Sequence, residues 1–260
     1  MIKQSDRLNS VEEYYFSKKL REVSNMIQSG ESVINMAIGS PDLFPSIKVV
    51  DEIKNSLSDS FAHKYQSYQG LPELRDAIAK FYNKFFGVEL NPSNEVLPLM
   101  GSKEGIMHIS LAFLNSGDEV LIPNPGYPTY LSVTKLVEAN PVFYNLSEEN
   151  GWFPNLSELE NKDLSKVKLM WINYPHMPTG ASANFDQFEK LLEFAKTNNI
   201  LLINDNPYSF ILNDDYLSLL KVKGYKDFVL ELNSLSKSFN MSGWRVGMLV
   251  GSSENITKVL

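Results

Sequence analysis

The chain has 260 residues, of which 43% are hydrophobic and 21% charged, an ordinary composition for a globular protein with one large core or two modest domains. Its formal net charge of −7, without a basic block, disfavours a nucleic-acid partner, and no apolar run approaches the roughly 18 residues of a membrane helix. The absence of cysteine excludes disulfides and thiolate catalysis, and three scattered histidines do not suggest a metal site. With no secretory signal at its start, we expect a cytoplasmic protein.

Helical and extended segments alternate along the chain. An amphipathic helix is predicted over residues 9–29, a short strand over 33–38 and a second helix over 46–59. Residues 70–87 predict a third helix, because Pro72 suits a first turn, Gly87 ends the pattern, and apolar residues recur at helical spacing. That stripe consists of Leu71, Leu74, Ile78, Phe81 and Phe85.

Seven short apolar runs follow, each bounded by turn residues. They lie at 96–100, 119–123, 141–146, 167–173, 200–205, 228–233 and 244–252. Helices are predicted between them at 102–115, 127–139 and 184–198, and another begins near the end of the chain. This alternation predicts an α/β fold with a largely parallel seven-stranded sheet flanked by helices.

Small, polar and aromatic residues follow five of these runs. In chain order they are Gly101, Ser102 and Lys103, then Tyr127, then the turn 174–180, then Asp205 with Tyr208, and last Ser234 with Lys237. In open α/β sheets, ligands bind beyond the carboxyl ends of the strands. We therefore expect all of these residues to face one crevice.

These residue types match the chemistry of one cofactor. A helix that begins with Gly-Ser offers free N–H groups to a phosphate, and a serine hydroxyl and a guanidinium strengthen such a site. The remaining groups suit a protonated ring nitrogen (Asp205), a phenolate oxygen (Tyr208), a ring face (Tyr127) and an aldehyde (Lys237). A phosphate, a protonated heteroaromatic nitrogen, a phenolate and an aldehyde together describe pyridoxal 5′-phosphate.

The motifs that carry these residues resemble those of class I/II aminotransferases, which have fold type I. The segment SLSKSFNMSGWRVG (234–247) is similar to the lysine signature of the family. Five further segments precede it in the order of the family: INMAIGSPDLFPS, KYQSYQGLPELRDAIA, GSKEGI, PNPGYPTY and NDNPYSFI. Within the family, the motifs look most like those of the subgroup that contains LL-diaminopimelate and aspartate-type aminotransferases.

The resemblance implies roles for individual residues. Lys237 would be the Schiff-base lysine, Asp205 the partner of the pyridinium nitrogen and Tyr208 that of the phenolate, while Tyr127 would stack on the ring. Phosphate would be bound by Gly101, Ser102, Lys103 through its backbone, Ser234 and Arg245. Tyr65 would reach the cofactor phosphate of the neighbouring subunit in a homodimer, and Gly39 would approach the substrate carboxylate.

The resemblance also implies a domain division, with residues 1–45 as an N-terminal arm and part of a small domain, and 46–260 as the cofactor-binding large domain. Two departures from the family pattern stand out. Met177 occupies the position of the asparagine in the usual Asn-Pro-Thr-Gly, which removes an amide partner of the cofactor phenolate. Family members continue into a C-terminal small domain that supplies a substrate-binding arginine, and no arginine of this chain matches it. The implied large domain is incomplete at its C-terminus, and the C-terminal small domain is missing.

The function implied is transfer of an amino group from an amino acid to a 2-oxo acid by a ping-pong Schiff-base mechanism. A pyridoxal-phosphate-dependent carbon–sulfur lyase of the same fold would share every cofactor residue and stays open as an alternative. So does a truncated chain that binds the cofactor with little activity, or a non-catalytic interaction protein on this scaffold. A nicotinamide-dependent oxidoreductase is disfavoured, because no G-x-G-x-x-G follows the first strand.

Overall fold

A computed structural model describes residues 2–36 and 39–260 of the chain. Its α-helices are α1 (Tyr15–Gln28), α2 (Ile47–Ser56), α3 (Pro72–Phe86), α4 (Ser102–Phe113), α5 (Pro128–Leu136), α6 (Leu156–Glu160), α7 (Phe185–Thr197), α8 (Leu235–Ser238) and α9 (Ser253–Val259). Its strands are β1 (Val96–Leu99), β2 (Glu119–Asn124), β3 (Asn140–Asn145), β4 (Val167–Ile172), β5 (Leu201–Asp205), β6 (Val229–Ser234) and β7 (Gly247–Gly251). Within the described ranges, none of the helices has the length and hydropathy of a membrane span.

The seven strands form one sheet in the order β1-β7-β6-β5-β4-β2-β3. The neighbours from β6 to β3 pair in parallel, whereas β7 runs antiparallel to both β6 and β1. The carboxyl ends of β1, β2, β4, β5 and β6 therefore lie at the same edge of the sheet. The predicted α/β fold and seven-stranded, largely parallel sheet are confirmed.

Helices cover both faces of this sheet, and the strands are apolar on both sides. Along β4, Leu169 and Trp171 contribute to the core shared with α4, α5 and α9, while Met170 and Ile172 contribute to the core shared with α3 and α7. All four side chains are buried. A strand that is buried on both faces lacks polar alternation, which is why the strands read as continuous apolar runs in the sequence.

Several predicted boundaries were wrong. Residues 33–36 of the expected first strand have no regular secondary structure, and residues 37–38 lie outside the described part of the chain. The first helix begins at Tyr15 rather than at residue 9, after a separate 3₁₀ turn over Asp6–Ser10. The last strand begins at Gly247 rather than at 244, because Trp244 ends a 3₁₀ turn and Arg245 has a left-handed backbone with φ of 57°.

The apolar stripe predicted for α3 is shifted by part of a turn. Leu71 lies before the helix and is 44% exposed, whereas the buried residues of the helix are Ile78, Ala79, Tyr82 and Phe86. Phe85 is only partly buried and packs edge-on against Phe210, outside the helix. Both Pro72 at the start and the left-handed Gly87 at the end lie where the sequence predicted them.

Residues 34–36 and 39–71, which we call the stretch 34–71, pack differently from the sheet. Large apolar side chains in this stretch are exposed, among them Ile34, Leu43, Phe44, Leu57 and Tyr68. Helix α2 has no buried residue. This stretch therefore presents an apolar surface that the described residues leave uncovered.

Candidate active site

A cavity of about 620 Å³ lies at the edge of the sheet where the parallel strands end. Every predicted cofactor-binding residue lines it except Gly101 and Tyr65, and Gly39 lines it as well. The residues concerned are Ser102, Lys103, Tyr127, Asp205, Tyr208, Ser234, Lys237 and Arg245. The common crevice expected from the strand ends is therefore present in the structure.

Asp205 ends β5 and is buried in the cavity wall. Its Oδ2 accepts a hydrogen bond of 2.9 Å from the hydroxyl of Tyr130 on α5, and the Tyr130 ring stacks on Trp171 of β4 at 5.0 Å. Its Oδ1 is buried and has no hydrogen-bond partner within the described residues. Burial raises the pKa of Asp205 to about 7, and the Tyr130 hydrogen bond opposes that rise. A carboxylate in this state is stabilised by a cation or an N–H donor placed at Oδ1.

Lys237 enters the cavity from α8, the single turn that follows β6. The side chain is half-buried, and its Nζ lies 3.4 Å from the carbonyl oxygen of Gly39. Burial lowers the pKa of Lys237, and the nearby Arg245 guanidinium lowers it further. A lowered pKa increases the neutral, nucleophilic fraction of the amine.

The start of α4 and Arg245 together form a candidate anion site. Gly101 caps α4 with φ of 87°, and a Cβ at this position would lie only 2.2 Å from Nη2 of Arg245. A Cβ on Gly247 would lie 2.7 Å from the backbone of Gly101 and Ser102. The two glycines thus allow the guanidinium to approach the free N–H groups of the helix start. The guanidinium and these N–H groups are both suited to a phosphate. The hydroxyl of Ser234 lines the same cavity.

Aromatic rings form another wall of the cavity. Tyr127 is half-buried between α5 and the N-terminal segment, and burial raises its pKa. Tyr14 and Phe16, at the start of α1, also line the cavity, and neither was predicted from the sequence. The ammonium of Lys103 lies 4.8 Å from the Tyr14 ring centroid and 5.8 Å from that of Tyr127. Tyr208 completes the wall near Asp205, and burial raises its pKa to about 12.

The turn after β4 carries Met177, which lines the cavity as well. Asn173, missed in the sequence, organises this turn: its Oδ1 accepts from the Met177 backbone N–H at 2.8 Å, and its Nδ2 donates to the Asp205 carbonyl. His176 is buried beside it and contacts Thr179 Oγ1 at 2.8 Å and the Pro125 carbonyl at 3.2 Å. The sequence signal that could have identified Asn173 was its position at the end of a predicted strand.

Tyr65 does not belong to this cavity. Its side chain is 106% exposed, and it lies in the apolar stretch 34–71. Tyr65 is therefore not part of the cavity formed by the other predicted residues, and its role in a neighbouring subunit stays a prediction.

Comparison with known proteins identifies the family. The sequence profile of aminotransferase class I and II matches residues 31–260. LL-diaminopimelate aminotransferases from Dehalococcoides mccartyi (strain ATCC BAA-2266) and Aquifex aeolicus are 42% and 41% identical over 257 and 256 residues, which is 98% of this chain and 66% of each relative. The structure of apo-BacF from Bacillus subtilis matches with a TM-score of 0.95 at 36% identity, covering 100% of this chain and 66% of that one.

The chain therefore belongs to the class I and II aminotransferase family. It spans 66% of the length of these relatives, just under two thirds. A single-mutant aspartate aminotransferase from Thermus thermophilus, 24% identical with a TM-score of 0.92, shares the fold. The predicted fold type I architecture is thus confirmed.

Members of this family use pyridoxal 5′-phosphate, and the cavity fits that group on three independent observations. Asp205 has a buried oxygen without a partner among the described residues, as a protonated ring nitrogen requires. The helix start beside Arg245 suits an anion, and a Cβ at Gly101 would collide with the guanidinium there. Lys237 supplies an amine with a lowered pKa to the same space.

Proposed function

We propose that this chain carries the cofactor domain of a pyridoxal-phosphate-dependent aminotransferase, which moves an amino group from an amino acid to a 2-oxo acid by ping-pong kinetics. One observation carries the proposal: Asp205, with a buried carboxylate oxygen that has no partner in the described part of the chain, and Lys237 line one cavity with the candidate anion site. Family membership supports it. The domain division at residue 45 and the cytoplasmic location expected from the sequence remain part of the proposal.

The residues of the chain take separate roles in this reaction. Pyridoxal phosphate, when bound, supplies an aldehyde that condenses with amines and a protonated ring that accepts electron density. Asp205 would hold the positive charge at the ring nitrogen, which would lower the pKa of the carboxyl as well. Lys237 would provide the amine that retains the cofactor and would take the proton from the substrate α-carbon as a general base. The Tyr208 hydroxyl would donate to the phenolate oxygen, and Tyr127 would cover the ring face.

A further cation in the cavity, Lys103, favours an acidic amino acid as substrate. Lys103 lines the cavity, and its ammonium lies near the rings of Tyr14 and Tyr127. A cation over aromatic faces can still bind an anion. The curated relatives are named for LL-diaminopimelate, an amino acid with two carboxylates. We include a dicarboxylic amino donor in the proposal on these two grounds.

We also propose that the active form is a homodimer. The exposed apolar side chains of residues 34–71 form a surface suited to a second copy, and exposed Tyr65 lies within it. In such a dimer, Tyr65 would donate to the cofactor phosphate of the neighbouring subunit.

Borohydride reduction followed by peptide mass mapping tests the cofactor site. After saturation with pyridoxal phosphate, the reduced adduct is expected on the peptide that contains Lys237. Lys103, the other lysine that lines the cavity, provides the matched control: Lys103→Ala should keep the adduct, and Lys237→Ala should lose it. Unmodified Lys237 in folded, cofactor-saturated protein would refute the assignment.

A second assay separates transfer from elimination. Loss of the amino donor is followed with and without an added 2-oxo acid. An aminotransferase consumes the donor only to the level of the enzyme unless the 2-oxo acid is present. Multiple turnovers without it would instead support the carbon–sulfur lyase that shares this cofactor site.

A further inference from the structure

Glu231 is a buried carboxylate that the proposed reaction does not use. It lies in the middle of β6, is 0% exposed, and does not line the cavity. Its neighbours along the strand, Leu230 and Leu232, belong to the core on the α4 side, so Glu231 faces the opposite side, toward α3. A carboxylate at such a position is costly, and an apolar residue would serve the core better.

Three hydrogen bonds compensate this cost, and two of them come from one loop. Ser218 Oγ donates to Oε1 at 2.8 Å, and the backbone N–H of Leu219 donates to Oε2 at 3.0 Å. The third comes from Asn204 Nδ2 on β5, at 3.0 Å from Oε2. Burial raises the pKa of Glu231, and these three donors oppose the rise.

The loop that Glu231 holds is the one that carries Tyr208. It runs from Asn206, directly after Asp205, to Ser218, and we refer to residues 206–218 as the Tyr208 loop. At its start, the N–H of Asn206 donates to the Leu232 carbonyl at 2.8 Å. The Asn206 side chain then spans the loop, because its Nδ2 donates to the Leu217 carbonyl at 3.4 Å. At its end, Ser218 and Leu219 are bound to Glu231.

Asn204 extends the same network to a second part of the site. While its Nδ2 donates to Glu231, its Oδ1 accepts from the backbone N–H of Tyr174 at 3.1 Å. Tyr174 begins the turn that leads to Met177 in the cavity wall. Glu231 is thus bonded to the end of the Tyr208 loop directly and to the start of the Met177 turn through one side chain.

We propose that Glu231 is a positioning residue, whose buried carboxylate anchors the Tyr208 loop to the sheet and so fixes the Tyr208 hydroxyl in the cavity. The anchor itself follows from the hydrogen bonds of the chain. Only its effect on the cofactor rests on the proposed function.

Hydrogen exchange of the cofactor-free chain tests the anchor. Glu231→Leu removes all three acceptor contacts and replaces the carboxylate with an apolar side chain of similar size. We expect amide exchange at Leu219 and across the Tyr208 loop to become about tenfold faster or more, since buried donors lose their acceptor. Glu231→Gln keeps an acceptor oxygen and an amide that can donate to Ser218, so exchange should return to within about threefold of the parent chain.

Tyr144→Phe is the matched control for a general loss of stability. Tyr144 is buried, and its hydroxyl donates to the Trp171 carbonyl at 2.6 Å, away from the Tyr208 loop. This variant should leave exchange in the loop unchanged relative to the rest of the sheet. Equal acceleration in Glu231→Leu and Tyr144→Phe would overturn the anchor.

The visible absorbance of the cofactor-loaded chain tests the link to Tyr208. The visible absorbance should change with pH as the nitrogen that would join Lys237 to the cofactor loses its proton. A hydroxyl that donates to the phenolate oxygen lowers the pKa of that nitrogen, so Tyr208→Phe should raise the pH midpoint of the change. Glu231→Leu should shift the midpoint in the same direction, and Glu231→Gln should restore it. In the Tyr208→Phe background, Glu231→Leu should add less than about a third of its own shift, because both act on one contact.

An undiminished shift in that background would overturn the role through Tyr208. If Glu231→Leu does not fold, Ser218→Ala removes one contact from the loop side alone and should give smaller changes of the same sign. A parent chain that binds no cofactor would refute the proposed function, and the exchange experiment would still decide whether Glu231 anchors the loop.

Discussion

The sheet and the stretch 34–71 differ in the exposure of their apolar side chains. In the sheet, Trp171 and Ile203 are fully buried between helices of the same chain, whereas Ile34 and Phe44 are 87% and 92% exposed. The sheet therefore completes its own core, and the predicted site residues at its edge are held by contacts within the chain itself. The stretch 34–71 has many apolar side chains but few of them are buried, which is the pattern on which the proposed contact with a second copy rests.

Two substitutions of the same residue type give the largest expected contrast. Phe188 on α7 is 1% exposed in the core, and Phe188→Ala should lower the free energy of unfolding by about 3–5 kcal/mol through lost burial and a cavity. Phe44→Ala should lower it by less than about 0.5 kcal/mol in dilute protein. Urea unfolding followed by circular dichroism measures both. A loss above about 2 kcal/mol for Phe44→Ala would contradict the contrast between the two regions.

The pH dependence of stability tests the buried site in the sheet. The pKa of Asp205 is raised from 3.8 to about 7, so the folded chain binds more protons than the unfolded chain between these values. Stability contributed by the protonated carboxyl is full below about pH 4 and is lost as the pH rises through 7. Relative to Asp205→Asn, the cofactor-free chain should therefore lose about 2–4 kcal/mol of unfolding free energy between pH 4 and pH 8.

Asp205→Asn isolates this effect, because Glu231, whose pKa is also raised, is unchanged in both proteins. Unfolding curves at four or five pH values provide the measurement. Parallel pH profiles for the two proteins would mean that Asp205 is not desolvated as the structure indicates. Bound pyridoxal phosphate should reduce the loss above pH 7, because a positive charge at Oδ1 favours the carboxylate.

The smallest expected effect concerns Tyr65 in the exposed stretch and its proposed contact with the cofactor phosphate of the neighbouring subunit. Tyr65→Phe should weaken pyridoxal phosphate binding by about tenfold or more, because one hydrogen bond to a charged phosphate is lost. It should not change the unfolding free energy of the cofactor-free chain. Tyr68→Phe is the matched control, since Tyr68 is exposed three residues further along. Fluorescence titration at two protein concentrations measures both, and equal affinities for the two variants would remove Tyr65 from the proposed site.

The strand ends were predictable because burial on both faces makes each strand a continuous apolar run. Asp205, Ser234 and Lys237 stand directly after or within a few residues of such runs, and the structure brings them into one cavity. Short-range signals also placed Pro72 and Gly87 at the ends of α3. Boundaries failed where local backbone geometry decides, as at Arg245, whose left-handed conformation delays the start of β7.

Residues that act through long-range contacts were not predictable. Tyr130 lies one helical turn after Tyr127, and nothing in the sequence shows that its hydroxyl meets Asp205 across 75 residues. Glu231 looks like an isolated charge in an apolar strand until Ser218 and Leu219 are seen to donate to it. Tyr14 and Phe16 reach the cavity only because the N-terminal segment folds over it. In each case the deciding fact is which distant segments become neighbours.

The reversed direction of β7 explains why an arginine follows the lysine so closely. Since β6 and β7 are antiparallel neighbours, the finish of one and the beginning of the other meet at the same rim, and the connection 235–246 carries both Lys237 and Arg245. This connection therefore carries both the Lys237 amine, which would hold the aldehyde, and the Arg245 guanidinium, which would hold the phosphate. A displacement of that connection would therefore move the Lys237 amine and the Arg245 guanidinium together.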